Sequence, residues 1–387
     1  MSLIFQRHVE GPKTHALVIG VGNYPHAKPG QGAHPFLRQV ADLPSAADSA
    51  KLICDWLLVN RNRLVAPLAT LEVLISDPAA SNDRYPWQSG PVEPATEELV
   101  ALRGWEWYQR VLAEDGNVAF FYCCGHGASH REWPVVFLED LNRHPINPWS
   151  HINLHQLASA LRKCPSISAA FLFSDACGEY LPEFELGKAQ ETRFYNEQNM
   201  FVPSGNRVSL MCAAAEGQLA YEGEDAPGSG RMFGRFTLAC LKGLDGSSAR
   251  LTRDRFAVSC YYLLGDLKPL RRVFFSHWSK AEPFEPYQVV MQTDPLPIVY
   301  PQGFELPVEV MTNPLDRMAD YSLVISERSD PHPPWLRNRD AGDPGAWYTT
   351  VPPDTRALWA IAVGGGNNYA STILPRGPIF DEWVRVP

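Results

Sequence analysis

The run Asn117–Cys124 (NVAFFYCC) is apolar at nearly every position, with none of the polar alternation of a half-solvated strand. Too short to cross a bilayer and apolar on both faces, it suits an inner strand of a parallel sheet that is covered on both sides. His15–Val21 (HALVIGV), Leu71–Ile75 and Ser168–Ser174 read as further strands. Between them, Leu43–Val59, Ala95–Ala113 and Ile152–Arg162 carry apolar residues at three- and four-residue spacing, and a short strand-like piece falls at Val135–Glu139. Strands alternating with helices predict an α/β domain with a mostly parallel sheet.

After Cys177 the pattern breaks. Leu181–Asn206 is polar and turn-rich without any period, which predicts a long, mobile loop. Regular structure is expected to resume with a strand at Arg207–Ala214, helices near Phe233–Leu241 and Arg253–Leu264, and a strand near Tyr287–Met291. From about Pro301 only strand-like pieces recur (VEVMT, YSLVIS, WYTTV, ALWAIAV, YASTIL, WVRV), separated by Pro and Gly clusters, which predicts a small all-β sandwich. The 387 residues thus divide into an α/β domain over 1–300 and a β domain over 301–387.

Several function classes are disfavoured at this stage. A net charge of −9, with no cluster of Lys and Arg, argues against a nucleic-acid partner. No apolar stretch reaches membrane-spanning length and the first residues lack a signal-peptide core, so a soluble, cytoplasmic protein without a membrane partner is expected. Eight cysteines with no CxxC pair read as reduced thiols, and Cys123, Cys124 and His126 do not complete a zinc spacing. No metal or other cofactor is expected. Gly20-Val21-Gly22-Asn23-Tyr24-Pro25 is a partial dinucleotide fingerprint that lacks its third glycine, and Gly364–Gly366 reads as a hairpin turn.

In an open α/β sheet, functional groups collect beyond the carboxyl ends of the strands. The third strand ends Cys124-Gly125-His126-Gly127, and the fourth ends Ser174-Asp175-Ala176-Cys177-Gly178. If these strands are neighbours, the imidazole can serve as base for the thiol.

With these two motifs the chain resembles the caspase and metacaspase cysteine peptidases, whose fold is shared by gingipains, separases and CHAT proteases. The resemblance covers roughly residues 13–300. It rests on strand-GHG and strand-SDACG, 51 residues apart, close to the roughly 50-residue His-to-Cys separation of caspases. VIGVGNY, LPSAADSAKLI and QTDPLPIV fit the same pattern. The resemblance implies a caspase-like three-layer α/β domain and an endopeptidase acting on protein or peptide substrates. Cys177 would be the nucleophile and His126 the general base and acid, with the oxyanion hole formed by backbone N–H groups of Gly127 and Cys177. Cys124 is a rival thiol, but as part of a strand body it reads better as a pocket wall or core residue.

Asp175 departs from animal caspases, which carry Gln at this position and cleave after Asp. It resembles metacaspases, whose first pocket takes Arg or Lys, and the positions matching the rest of that pocket are Ser45, Asp48 and Cys124. Ser45 and Asp48 also read as a helix-capping pair, S-x-x-D. The acids of calcium-dependent metacaspases are missing at Ser150-His151-Ile152-Asn153, which leaves Glu139 and Asp140 and makes calcium activation doubtful. In caspases the loop after the nucleophile is cut on activation. Lys188 and Arg193 are the expected cut sites of a zymogen here, by the enzyme itself or by an upstream activating protease. The resemblance permits a role in bacterial cell death or antiviral defence. The rival readings are a catalytically silent scaffold whose β domain binds a partner, and the same fold with another first-pocket specificity.

Overall fold

The computed structural model describes residues 2–28, 40–78, 91–130, 133–144, 148–181, 191–196, 207–290, 295–353 and 357–387. The chain divides into two compact units, one of Met1–Leu241 with His277–Ile298, the other of Lys242–Ser276 with Val299–Pro387.

In chain order, the first unit contains β1 (Leu3–Gln6), β2 (Thr14–Val21), α1 (Pro44–Val59), β3 (Leu68–Ser76), α2 (Glu97–Leu112), β4 (Val118–Cys124), β5 (Gly127–His130), β6 (Trp133–Phe137), β7 (His151–Asn153), α3 (Leu154–Arg162), β8 (Ala169–Asp175), β9 (Glu179–Tyr180), β10 (Val208–Cys212), β11 (Glu222–Glu224) and β12 (Met232–Gly234). The helix Arg235–Lys242 follows β12, and the strand Tyr287–Val290 returns to the sheet. The seven-stranded sheet runs β1-β3-β2-β4-β8-β10 and ends on Tyr287–Val290. Its inner strands β3, β2, β4, β8 and β10 are parallel, and both edges are antiparallel.

Every residue of β2, β3, β4 and β8 is buried, as continuous apolar runs require of strands covered on both faces. α2 starts where the Thr96 hydroxyl accepts the Leu99 N–H (3.3 Å), and it buries Trp107 and Tyr108 against the sheet. α3 starts on Asn153, whose side-chain oxygen accepts the Gln156 N–H (3.0 Å). α1 begins with Pro44 at its first turn and has no side-chain cap, so Ser45 and Asp48 do not form the capping pair their spacing suggested.

A second sheet, β7-β6-β5-β9, lies beyond the ends of β4 and β8. Its strands are two to five residues long; the piece expected at Val135–Glu139 overlaps β6, while β5, β7 and β9 were not expected.

Among the described residues, the second unit holds two sheets of three and four strands besides the short pairing of Arg250–Leu251 with Phe256–Ser259. One joins Trp347–Val351, Leu306–Asn313 and Ile379–Arg385; the other joins Arg337–Arg339, Ser322–Ser326, Leu358–Gly364 and Asn367–Ile373. Leu306, Val308 and Val310 from the first share one core with Leu323, Ile325, Ala360 and Ala362 from the second. The same unit includes the helix Cys260–Phe274, further along the chain than the helix expected at Arg253–Leu264; Phe256–Ser259 is a strand. This helix packs on Leu306–Asn313, and its Arg272 pairs with the buried Glu309 (2.9 Å). Among the described residues no helix is long and apolar enough to cross a membrane.

Candidate active site

β4 and β8 are parallel neighbours, with Cys124 opposite Asp175 in register. The Gly125 N–H still reaches the Asp175 carbonyl (3.3 Å), and then the two chains part. They pair again almost at once, where β5 and β9 place Ala128 opposite Glu179 and Ser129 opposite Tyr180. His126 and Cys177 therefore occupy the short gap between two zones of pairing, each two residues past the Cys124–Asp175 rung. Gly127 closes the gap: a Cβ there would lie 2.6 Å from the Val135 carbonyl oxygen and 2.9 Å from both the Ala176 Cβ and the Cys177 carbonyl oxygen. The two strand ends meet only because this residue has no side chain.

His126 is half-buried and held on three sides. Its backbone N–H donates to the Tyr24 hydroxyl (2.8 Å), and the Tyr24 ring lies 5.0 Å from the imidazole at 51°. Nε2 lies 3.0 Å from the Ala41 carbonyl oxygen. A carbonyl can only accept, so Nε2 carries the proton and Nδ1 presents a lone pair. Burial holds the imidazole below its ordinary pKa, opposed by the Ala41 bond and the charges of Glu222 and Glu179.

All eight cysteines are free, and Cys177 alone is not fully buried. Its Sγ accepts the Ala220 N–H (3.4 Å) and lies 3.7 Å from the Ala220 carbonyl. Burial raises the thiol pKa; the Ala220 bond opposes that, while Asp175, Glu179 and Glu222 add to it. Burial thus disfavours the charged form of each group, the imidazolium of His126 and the thiolate of Cys177.

Asp175 is 4% exposed. Its Oδ2 accepts both the backbone N–H (2.9 Å) and the hydroxyl (2.6 Å) of Thr237, in the first turn of the helix Arg235–Lys242, where a carboxylate suits the dipole. Since the Thr237 hydroxyl donates to Asp175, the Tyr122 hydroxyl donates to Thr237 (2.7 Å). Burial pushes the carboxyl up to about 6 even against these bonds. Gly234 presses on the same oxygen: a Cβ there would lie 2.0 Å from Oδ2.

The other residues expected in the pocket separate into two groups. Cys124 is buried beside Asp175 in the sheet, and burial raises its thiol well above the usual range. Ser45 and Asp48 belong to α1, where Asp48 faces the buried Lys51 (3.6 Å), which also pairs with Asp77. From α1 it is Ser49 that reaches the Asp175 corner, its hydroxyl accepting the Gly234 N–H (2.9 Å). Glu139 accepts from the Ser76 hydroxyl, while Asp140 accepts the Glu97 N–H (2.7 Å) and pairs with Arg143 (2.7 Å). Among the described residues no group of three or more His, Cys, Asp or Glu is arranged to hold a metal.

Sequence reasoning missed Tyr24, Ala41, Ser49, Thr237 and Glu222. Glu222 is exposed on β11, two residues past Ala220, and pairs with Gly234 across the hairpin. Its charge acts on His126, Cys177, Cys124 and Asp175 alike. Only Glu179, two residues after Cys177, could have been found by position.

The expectation of a loop without packing fails over residues 191–196. The Thr192 N–H donates to the His151 carbonyl (2.8 Å), and Phe194 is 1% exposed against Gly104, Trp107 and Phe121. The Arg193 side chain is exposed and pairs with Glu191, but its backbone sits between two buried neighbours. Lys188 lies outside the described residues.

The caspase domain family matches residues 102–239, from α2 through both strand ends to the helix Arg235–Lys242. The crystal structure of caspase-1 from Spodoptera frugiperda is similar at 12% identity and a TM-score of 0.44, covering 78% of this chain and 98% of that one. No curated protein matches in sequence. Cys177 and His126, on adjoining strand ends, both fall inside the matched segment, and that segment is a caspase-like cysteine peptidase domain.

Proposed function

We propose that the chain is an endopeptidase that cleaves after Arg or Lys, with Cys177 as nucleophile and His126 as general base and acid. The observation that carries this reading is the gap between β4–β8 and β5–β9, which holds the one incompletely buried thiol and an imidazole whose Nε2 is tied, leaving Nδ1 as acceptor. In the first step Nδ1 takes the thiol proton as Sγ attacks the scissile carbonyl carbon. Negative charge moves to the carbonyl oxygen, where the N–H groups of Gly127 and Cys177 donate to it. Collapse expels the amine, which takes its proton from His126. Water then adds to the thioester by the same route, releasing the acid and restoring the thiol.

The preference for a basic residue is supported by the acids around the pair. Asp175 is spent partly on Thr237, so we assign the direct reading of a guanidinium or ammonium to Glu222, with Asp175 as the buried charge behind it. For activation, Arg193 sits in a packed segment, and Lys188 becomes the cut site we assign.

The test is a panel of fluorogenic peptides differing only at the residue before the cut, run with the parent chain and with Cys177→Ala, His126→Ala and Glu222→Gln. Cleavage confined to Arg and Lys, abolished in the first two variants, supports the reading. Cleavage after Asp or Ala, or activity that survives Cys177→Ala and is lost in Cys124→Ala, rejects it.

A further inference from the structure

The segment Gly20–Pro25, set aside above as an incomplete nucleotide loop, has another use in the fold. Gly20 and Gly22 let α1 close on the end of β2: a Cβ at Gly20 would lie 2.6 Å from the Ala50 Cβ, and one at Gly22 2.9 Å from the Leu43 carbonyl oxygen. The backbone then delivers Tyr24, fully buried, to His126. Its hydroxyl accepts the His126 N–H (2.8 Å), and a Cβ at Gly125 would lie 2.8 Å from that oxygen, so only glycine precedes the histidine without displacing it. The Tyr24 N–H donates to Asp42 Oδ1 (3.1 Å), and the other Asp42 oxygen pairs with Lys28 (2.8 Å). Asp42 is covalently next to Ala41, whose carbonyl holds Nε2 of His126 (3.0 Å). The contacts close a ring: Tyr24 to His126, His126 to Ala41, Ala41 through the chain to Asp42, and Asp42 back to Tyr24.

We propose that Tyr24 is the positioning residue of this peptidase, fixing the backbone of His126 through its hydroxyl and, through Asp42, the carbonyl that sets the imidazole tautomer. The inference rests on the Cys177–His126 reading and adds to it a residue outside the residues matched to the caspase domain. Tyr24 touches no reacting atom in this scheme; it acts by keeping Nδ1 aimed at the thiol, where small misplacements are costly.

Tyr24→Phe keeps the ring and removes only the hydroxyl. Its kcat on the preferred fluorogenic peptide should fall about tenfold with KM within about twofold, since a single hydrogen bond is lost. A merely structural role would lower the active fraction without moving the pH profile. Loosening the Nε2–Ala41 contact, which favours the charged imidazole, while the ring keeps the site buried, should shift the acid limb of kcat/KM further down, away from the ordinary histidine value near 6.5. The charges facing the imidazole, Glu222 and Glu179, are unchanged in the variant and cannot cause that shift. Alkylation of Cys177 by iodoacetamide should slow and show the same displaced limb, while the melting temperature stays near that of the parent. Tyr24→Leu, lacking ring and hydroxyl, should lose stability as well. A Tyr24→Phe enzyme with parental kcat and parental acid limb overturns the inference. Should that variant fail to fold, Asp42→Ala opens the same ring from its other side and must reproduce the shift. A parent chain whose Cys177 is neither alkylated nor needed for cleavage would instead sink the underlying dyad.

Discussion

Asp175→Asn should make the peptidase unit more stable at neutral pH while impairing cleavage after Arg. In the folded chain the carboxyl titrates at about 6 against an ordinary 3.8, because burial outweighs the two bonds from Thr237. The value is raised, so the group favours the folded state fully below 3.8 and loses that contribution as pH rises through about 6. By pH 7.5 the ionised form costs about 3 kcal/mol, at roughly 1.4 kcal/mol per pH unit. Asparagine resembles the protonated acid: its carbonyl oxygen can take both Thr237 bonds, and it carries no charge. The stability difference between variant and parent should be small at pH 4 and grow to at most about 3 kcal/mol at pH 7.5. The difference is the quantity to follow, because His15, buried beside Thr70 and depressed to about 4, gives the parent an opposite slope. Its neutral form is favoured by folding, so that contribution is whole above 6.5 and is lost as pH falls toward 4. Both chains share His15, and subtraction removes it. Calorimetry at several pH values, read on the transition of the peptidase unit, makes the measurement. A variant less stable than the parent at pH 7.5, or a difference that ignores pH, would refute the balance of burial over hydrogen bonding argued here.

Three further outcomes are expected. Gly127→Ala should abolish turnover, because its Cβ would collide with the Val135 carbonyl at 2.6 Å and push apart the two strand ends; near-parental kcat/KM would show that the ends need not touch. Phe194→Ala should cost about 3–5 kcal/mol of stability and expose the Arg193–Phe194 bond to trypsin, detectable by intact mass after limited digestion; unchanged resistance would mean that Phe194 is not what protects it. Deleting residues 301–387 strips the helix Cys260–Phe274 of its packing strand and Arg272 of Glu309, so the shortened chain should aggregate; a soluble, monomeric product by light scattering would contradict this.

The parallel sheet was legible because burial on both faces leaves strand-length apolar runs that no solvated element can carry. The helix Cys260–Phe274 was expected over Arg253–Leu264; the strand Phe256–Ser259 takes the start of that span, and the far end runs past a proline. Pro269 disfavours helix for the residue before it and signals a break, yet the helix continues through it to Phe274. Of the sheet β7-β6-β5-β9 only β6 was legible, as the piece at Val135–Glu139; a two-residue strand such as β9 has no period to read, and its pairing with β5 is imposed by β4 and β8 lying side by side.

The same distinction divides the site. His126 and Cys177 could be found because each ends a buried strand beside a glycine, a local feature of the chain. The acids could not be ranked in that way, since what an acid does depends on what faces it. Asp175 looked like the pocket charge, but Thr237, 62 residues later, claims one of its oxygens for the start of a helix. Asp48 looked like its partner, but Lys51, one helical turn on, stands beside it. Glu222 carried no local sign at all and reaches the pair only because Ala220, Tyr221 and Glu222 run past the Cys177 sulfur into the β11–β12 hairpin. An acid near a nucleophile in sequence is therefore weak support for specificity, whereas an exposed acid on a separate hairpin, with its neighbours already satisfied, has charge left for a substrate. If this ranking holds, Glu222→Gln should weaken cleavage after Arg through KM more than kcat, while Asp48→Asn should leave it within about twofold.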